Sequence, residues 1–204
     1  MSEASVLTVS EFDQPPEEPM GLFKAWFEAA RQGGIREPGV VALATATPEG
    51  LVSNRIVQTI KITDTGWIFT SHAGSQKGRD IDATHWASGV FYWRETSQQL
   101  IIAGHVNRLP DSESDALWFA RHPSTHPMSV AAHQSELLES EEALREEAQR
   151  LAETGEPLPR PEAWLGYELK IEHIEFWQGS PDRLHRRLRY DLVDGTWTHT
   201  RLQP

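Results

Sequence analysis

The chain has 204 residues, a mass of 23.1 kDa and a net charge of −11, from 19 lysines and arginines against 30 aspartates and glutamates. This length fits one domain with additions, and the acidic balance argues against a protein that binds nucleic acid or anionic membranes. The absence of cysteine excludes a disulfide framework, a thiolate metal site and a cysteine nucleophile. The first charged residues are acidic and no apolar run approaches the ~20 residues of a membrane span, so we expect a cytoplasmic protein.

The first half of the chain predicts a helix followed by strands. Residues 1–18 are acidic and contain prolines, so we expect a mobile arm. An apolar stripe at helical spacing from Pro19 predicts a helix that ends at residues 33–34, which are both glycine. Runs rich in β-forming residues, separated by turn residues, then fill residues 40–109, with a short helix over residues 77–84 among them.

The second half predicts helices and then a return to strands. Residues 111–153 have helical patterns, and a proline-rich connector follows them. Three strand-like runs fill the C-terminal part, and Asp194-Gly195 predicts a tight turn between the last two. Because strands occur near both ends of the sequence, they fit one sheet that closes to protect its edges. We therefore expect a single domain over residues 19–204, a β-barrel with surrounding helices (α+β) that is antiparallel and Greek-key-like.

A glycine-containing segment, Gly74–Arg79, follows a predicted strand and opens a helix. Backbone N–H groups at a helix start, together with the charges of Lys77 and Arg79, can seat a phosphate group. The spacing of a P-loop is absent. An ordinary basic helix start is the alternative interpretation of the same residues.

Basic residues also crowd a predicted strand near the C-terminus. Alternation along this strand places four side chains on one face: Arg183, His185, Arg187 and Arg189. So many cations on one side repel one another unless an anion or a partner subunit lies opposite them. Arg55 lies on an earlier predicted strand, where an arginine is usually a rim residue.

The sequence predicts no metal site. His122 and His126 have the spacing of a helical metal pair, but prolines interrupt the segment and no further ligand lies at a recognisable spacing. Motifs for a serine nucleophile or a dinucleotide are also absent. If the chain is an enzyme, the difficult chemistry therefore belongs to a cofactor.

Seven short motifs occur in order from about residue 20 to the end of the chain. They are R-I-V from Arg55, G-S-x-K from Gly74, F-Y-W from Phe91, H-Q-S from His133, E-F-W-Q-G from Glu175, R-L-H-x-R from Arg183 and R-L-x-P from Arg201. In this order they resemble the pyridoxamine 5′-phosphate oxidase family. The resemblance implies a homodimeric split barrel that binds FMN at the subunit interface and passes substrate electrons to O2.

Carried over position by position, the resemblance implies a set of FMN-binding residues. They are Arg55, Ile56, Val57, Gln58, Thr59, Ile60, Thr70, Ser71, Gln76, Lys77, Gln99, Gln134, Ser135, Trp177 and Arg187. The set includes the loop at Lys77 that the residues themselves indicate as a phosphate seat. It also makes Arg187 a cation near the flavin, where it can stabilise the reduced, anionic ring.

The chain departs from the family pattern at the substrate. In the vitamin-making members, a lysine, a tyrosine, an arginine and a serine hold the substrate phosphate. The corresponding positions here, with a one-residue gap between the two sequences near residue 124, are Ile60, Trp118, His122 and Thr125. A phosphate that loses two cationic partners binds badly, so we expect poor binding of pyridoxamine phosphate.

The altered pocket is flatter and more apolar, which suits a planar aromatic carboxylate. This pattern resembles the phenazine-biosynthesis branch of the family, as do the motifs WASGVFYWRETSQQ, THPMS and RLRYD at residues 86–99, 125–129 and 187–191. The resemblance implies an FMN-dependent oxidase that aromatises reduced phenazine carboxylic acids by two-electron oxidation. O2 is then the acceptor and H2O2 the product. Arg183, Leu184 and His185 would line the substrate, with Arg183 on its carboxylate and His185 in orientation or proton transfer.

Two alternatives stay open from the sequence. One is a pyridoxamine or pyridoxine 5′-phosphate oxidase of vitamin B6 metabolism. The other is a non-catalytic split-barrel protein that carries flavin or haem. Turnover of the phosphorylated vitamin would indicate the first alternative, and a haem spectrum or no colour would indicate the second.

Overall fold

The computed structural model describes residues 10–153, 155 and 157–204. The helices are α1 Ser10–Asp13, α2 Pro19–Gln32, α3 Gln76–Thr84, α4 Asp111–Phe119, α5 His126–Ala131 and α6 Glu141–Ala152, with a 3-10 turn at Pro123–Thr125. The strands are β1 Val40–Ala46, β2 Val52–Gln58, β3 Lys61–Ile62, β4 Gly66–His72, β5 Trp86–Trp93, β6 Gln98–Arg108, β7 Trp164–Gln178, β8 Arg186–Val193 and β9 Thr196–Leu202.

The nine strands form one antiparallel sheet that curls on itself. Its main path runs β2-β1-β5-β6-β7-β4-β3, and β8 and β9 extend from β7. Strand β7 is 15 residues long, so it pairs with β4 along its first half and with β8 along its second. A bulge after Ala103 bends β6 where Gly104 meets the backbone of Lys170, and a Cβ at Gly104 would lie 1.9 Å from that carbonyl oxygen. The predicted fold class, an antiparallel barrel with surrounding helices, is confirmed.

The core lies between the concave side of the sheet and α2. Phe23 and Trp26 of this helix are buried, and they meet Phe91 and Phe176 edge-on at centroid distances of 5.6 and 5.2 Å. Such aromatic pairs add to the large apolar area that each ring buries. The helix begins at Pro19, as predicted, and it ends at Gln32 before the glycine pair.

The N-terminal segment is packed where it is described. Residues 1–9, half of the predicted mobile arm, lie outside the described residues. Phe12 is 5% exposed, and the guanidinium of Arg201 lies 5.4 Å from its ring centroid. The hydroxyl of Tyr190 donates to the carbonyl of Pro16 at 2.8 Å. These contacts join residues 10–18 to β8 and β9.

One local expectation is wrong. Strand β8 begins only at Arg186, and Arg183 has a left-handed φ of 67°, so Arg183 and His185 do not alternate with Arg187 on one strand face. Local hydrogen bonds in the turn before β8 replace strand pairing there. The helices predicted within residues 111–153 are confirmed as α4, α5 and α6, and prolines and a 3-10 turn separate α4 from α5. In the described part of the chain, no helix is both long and apolar enough to cross a membrane.

Candidate active site

The start of α3 forms a compact turn directly after β4. The hydroxyl of Ser75 accepts from the backbone N–H of Gly78 at 3.2 Å and donates to the carbonyl of His72 at 2.7 Å. Gly78 approaches the strand end so closely that a Cβ would lie 2.3 Å from the carbonyl oxygen of Ala73. The cap residue and the glycine therefore hold the helix N-terminus against the end of β4.

Two cations, Lys77 and Arg55, lie near this helix start. Burial lowers the pKa of the Lys77 ammonium, and the nearby charge of Arg55 lowers it further. Burial also lowers the pKa of the Arg55 guanidinium, although Asp80 opposes this shift. Both charges are thus partly removed from water in one neighbourhood, and a bound anion would stabilise them.

A second segment closes over the helix start from far along the chain. The ammonium of Lys77 donates to the side-chain oxygen of Gln134 at 3.3 Å. The backbone N–H of Gln76 donates to the hydroxyl of Ser135 at 3.0 Å. Ser135 has a left-handed φ of 71°, which is uncommon for a residue with a side chain and occurs often at functional sites. The structure thus brings Gln76, Lys77, Gln134 and Ser135 together, as the resemblance implies.

The buried carboxylate of Asp80 supports this cluster, and it was not identified from the sequence. Asp80 is 3% exposed and accepts hydrogen bonds from three side chains: Thr45 at 2.7 Å, Gln76 at 2.7 Å and Ser53 at 3.1 Å. Burial opposes ionisation of Asp80, but these hydrogen bonds and the charge of Arg55 hold its pKa below the ordinary value. The spacing of Asp80 four residues after Gln76 was a usable signal.

A second group of predicted residues forms a row across the C-terminal strands. Gln99 pairs with Trp177, and Trp177 pairs with Arg187, so their side chains share one face of the sheet. The Arg187 guanidinium makes two hydrogen bonds to the carboxylate of Glu175, at 2.7 and 2.9 Å. Glu175 is not in the FMN-binding set that the resemblance implies, and it neutralises much of the charge that Arg187 was expected to supply. His185 packs on Trp177 with a centroid distance of 4.8 Å.

The structure does not bring the two groups together within one chain. Arg55 is opposite Leu43, so it projects toward the buried face of the sheet. The row of Gln99, Trp177 and Arg187 projects from the other face, and strands β1 and β5 separate β2 from β6. One copy of the chain therefore carries two incomplete halves of the predicted FMN site.

The other predicted FMN residues lie on strands β2 and β4 or directly after β2. Ile56 is 65% exposed on the outer face of the sheet, whereas Val57 packs against the core. The hydroxyl of Thr59 accepts from the indole of Trp67 at 2.9 Å. The last three are Gln58, which ends β2, and Thr70 and Ser71 near the end of β4, where Ser71 is buried.

The predicted substrate residues do not all reach a surface. Ile60 is 45% exposed and borders a cavity of about 590 Å³ with Phe27 and Lys61. Trp118, in contrast, is fully buried, and its indole N–H donates to the carbonyl of Leu158 at 2.7 Å. The structure therefore gives Trp118 a packing role in the single chain and no exposed face for a ligand.

Four of the other predicted substrate residues are exposed, and the fifth, His185, is half-buried. His122 and Thr125 lie together on the turn that follows α4, and Leu184 is 66% exposed in the loop before β8. Next to this turn lies Arg121, whose guanidinium packs 4.9 Å from the ring centroid of Trp118. Because this guanidinium is partly buried, its pKa is lowered.

The loop that contains Arg183 fixes the histidine beside it. The backbone N–H of Ser180 donates to Nδ1 of His185 at 3.1 Å. A ring nitrogen that accepts a hydrogen bond carries no proton, so neutral His185 carries its proton on Nε2. Asp182 accepts from Ser180 and from the N–H of Leu184, and these bonds lower its pKa. Among the described residues, no group of three or more potential ligands is arranged for a metal ion.

Comparisons with known proteins identify the family of the chain. A family model described as pyridoxamine 5′-phosphate oxidase matches residues 27–155, and one described as the pyridoxine 5′-phosphate oxidase C-terminal dimerisation region matches residues 164–204. The chain is 50% identical to a dihydrophenazinedicarboxylate synthase of Pseudomonas chlororaphis, over 95% of this chain and 87% of that protein. It is 40% identical to a pyridoxine/pyridoxamine 5′-phosphate oxidase of Rubrobacter xylanophilus, over 92% of this chain and 87% of that protein.

A solved structure also resembles the whole chain. The crystal structure of PhzG from Burkholderia lata 383 in complex with tetrahydrophenazine-1-carboxylic acid has a TM-score of 0.95 and 47% identity, with 100% of both chains covered. The resemblance inferred from the seven motifs is therefore confirmed, and the chain belongs to the pyridoxamine 5′-phosphate oxidase family.

Proposed function

We propose that this chain is an FMN-dependent oxidase that aromatises reduced phenazine carboxylic acids by two-electron oxidation. The observation that carries the proposal is the half-buried pair of cations, Arg55 and Lys77, in a chain that is 50% identical to a dihydrophenazinedicarboxylate synthase over 95% of its length. Its family consists of flavin-dependent oxidoreductases, and a phosphate seat favours FMN over riboflavin, which has no phosphate. The chemistry that bound FMN supplies is redox: substrate loses two electrons and two protons, and O2 gains them and leaves as H2O2.

The donors of the cationic cluster fit a phosphate group. Arg55 has five N–H groups, and three hydrogen bonds are described for it: to the carbonyl of Leu43 and to the hydroxyls of Thr45 and Ser53. Two N–H groups on one edge of the guanidinium are therefore available for an anion. Lys77 donates to Ser75 and Gln134 and has one further N–H. In this proposal, Arg55 and Lys77 bind the phosphate, and Ser71, Gln76 and Ser135 complete the seat.

We also propose that the working unit is a homodimer with FMN at the subunit interface. The two halves of the predicted site lie on opposite faces of one sheet, and a second copy can supply the missing half. The outer face carries a row of cross-strand neighbours that is apolar at Ile56, Ala42, Val90 and Ile101. A contiguous apolar surface of this kind is typical of a subunit interface. The match of residues 164–204 to a dimerisation region supports the homodimer.

The substrate side supports a planar carboxylate better than a phosphate. The family's phosphate-binding lysine corresponds to Ile60, which here presents an apolar surface beside the β2 strand. Arg183 provides one cation in a loop whose left-handed backbone is closed by a hydrogen bond from its N–H to the carbonyl of Ser180. In this proposal, Arg183 binds the carboxylate, and the Nε2–H of His185 orients the ring edge or moves a proton.

The test compares two substrates on the FMN-loaded protein. Consumption of O2 is measured with tetrahydrophenazine-1-carboxylic acid and with pyridoxamine 5′-phosphate, at equal concentration and equal FMN occupancy. We expect faster consumption with the phenazine substrate, and one H2O2 formed for each O2 consumed. Faster turnover of pyridoxamine 5′-phosphate would assign the chain to vitamin metabolism instead. If neither substrate is turned over, the proposed oxidase activity is contradicted.

A further inference from the structure

Behind Arg55 lies a buried carboxylate that reaches the guanidinium through two hydroxyl groups. Thr45, on β1, accepts from Nη1 of Arg55 at 2.7 Å and donates to Oδ2 of Asp80 at 2.7 Å. Ser53, on β2, accepts from Nη2 of Arg55 at 2.5 Å and donates to the same carboxylate oxygen at 3.1 Å. Thr45 and Asp80 are each 3% exposed, so water does not compete freely for these bonds.

The chemistry of the three groups fixes the direction of every bond. A guanidinium only donates and an ionised carboxylate only accepts. Each hydroxyl must therefore accept from Arg55 and donate to Asp80, because the reverse orientation would leave two donors or two acceptors facing each other. Hydrogen bonds in such a chain polarise one another in the same direction. Neither Thr45 nor Asp80 belongs to the residues that the family resemblance implies for FMN.

The strand register explains why the relay converges on Arg55. Thr45 and Ser53 are directly opposite one another on β1 and β2, and Arg55 lies two residues further along the same face. Helix α3 places Asp80 over this pair, four residues after Gln76, which donates to the other carboxylate oxygen at 2.7 Å. One carboxylate thus supports both Arg55 and Gln76, the two groups that approach the proposed phosphate seat from β2 and α3.

We propose that Thr45, Ser53 and Asp80 form a positioning relay that holds Arg55 with its remaining N–H edge toward the phosphate of FMN. The inference rests on the proposed function, since it concerns the same seat. Arginine has many rotamers, so an unsupported Arg55 side chain would lose conformational entropy when it binds the phosphate. The relay already restricts the side chain before binding, so this entropy is not lost at the binding step. The relay acts through Arg55 and does not touch the ligand.

The test is a comparison of two flavins that differ only in the phosphate. Dissociation constants of FMN and riboflavin are measured on the flavin-free full chain and on Thr45→Val, which removes one hydroxyl while keeping shape and charge. We expect the preference for FMN over riboflavin to fall about tenfold in the variant, as for a weakened hydrogen bond to a charged group. A merely structural role would weaken both flavins equally and leave this ratio unchanged.

Two further variants complete the test. Thr45→Ser keeps the hydroxyl and should retain the wild-type ratio within about twofold, and Thr47→Val, the same change two residues further along, should do so too. If Thr45→Val does not fold, Ser53→Ala cuts the other arm of the relay at a half-buried position and should lower the ratio in the same way.

The outcomes separate the relay from the proposed function. A wild-type chain without preference for FMN over riboflavin would contradict the phosphate seat itself. A wild-type preference that survives unchanged in Thr45→Val, or that is lost equally in Thr45→Ser, would overturn the relay and leave the seat intact.

Discussion

The ammonium of Lys77 lies 3.3 Å from the side-chain oxygen of Gln134, a residue 57 positions later in the chain. This contact joins the first turn of α3 to the loop before α6, and it places two distant motifs of the family on one surface. The sequence resemblance could order these motifs but could not show that they meet.

Removing the charge of Lys77 should weaken FMN. A hydrogen bond to a charged group contributes about 1.5 to 3 kcal/mol, so Lys77→Met should raise the dissociation constant of FMN by roughly one to two decades. Riboflavin, which has no phosphate, should bind as before. Flavin fluorescence titration measures both constants. Lys170→Met, at an exposed position on β7, is the matched control. An FMN constant within twofold of wild type would remove Lys77 from the seat.

Two glycine-to-alanine changes should have opposite effects on stability. At Gly78, a Cβ would lie 2.3 and 2.5 Å from two backbone carbonyl oxygens, so Gly78→Ala should lower the free energy of unfolding by about 1 to 3 kcal/mol. At Gly21, in helix α2, an added Cβ would meet nothing within 4 Å beyond its chain neighbours and the helix's own backbone, so Gly21→Ala should raise the free energy of unfolding by about 0.5 to 1 kcal/mol. Urea denaturation of the flavin-free protein gives both values. Equal effects of the two changes would contradict the close approach of α3 to β4.

His72 should make the flavin-free protein sensitive to mild acid. Burial lowers the pKa of His72 from 6.5, and the charges of Lys77, His133 and Arg121 add to this effect. Below pH 6.5 the unfolded chain therefore binds a proton that the folded chain does not. The free energy of unfolding then falls as the pH falls, by up to about 1.4 kcal/mol per pH unit, until His72 in the folded state is also protonated.

The substitution His72→Gln isolates this contribution. Between pH 6.5 and 5, its free energy of unfolding should fall less steeply with pH than that of the unchanged chain. His199→Gln, at an exposed position, controls for the chemistry of the change. Parallel curves for the unchanged chain and His72→Gln would show that the histidine does not couple folding to protons.

The guanidinium of Arg183 should matter for carboxylate substrates only. Asn tolerates the left-handed φ of 67° better than most residues, so Arg183→Asn removes the charge with little backbone strain. We expect KM for the phenazine carboxylate to rise roughly tenfold. Turnover of a reduced phenazine without a carboxylate should be unchanged. A KM that does not move at equal FMN occupancy would show that this arginine does not bind the substrate.

The outer face of the sheet should be required for both dimerisation and FMN binding. Ile101→Glu places a charge at the β6 end of the apolar row, directly opposite Glu175, and we expect sedimentation to show monomers that no longer retain FMN. Val193→Glu, at the end of β8 and 53% exposed in the single chain, should remain dimeric and yellow. A dimer that persists in Ile101→Glu would place the interface elsewhere.

The local features of the site could be predicted from the sequence, and those that depend on strand register could not. Gly74–Arg79 gave the start of α3 because a cap residue and a turn act within a few residues. Asp80 was missed because its partners, Thr45 and Ser53, become neighbours only through the pairing of β1 with β2. Alternation predicts a continuous strand through Arg183, but the backbone N–H of Arg183 donates to the carbonyl of Ser180 in a turn, so β8 begins only at Arg186.

The most direct test of the account is the absorption spectrum of the FMN-loaded protein without oxygen. Addition of one equivalent of tetrahydrophenazine-1-carboxylic acid should bleach the flavin bands. Admission of O2 should restore them with one H2O2 released for each flavin. Bands that stay unchanged with this substrate, while pyridoxamine 5′-phosphate bleaches them, would contradict the proposed oxidase.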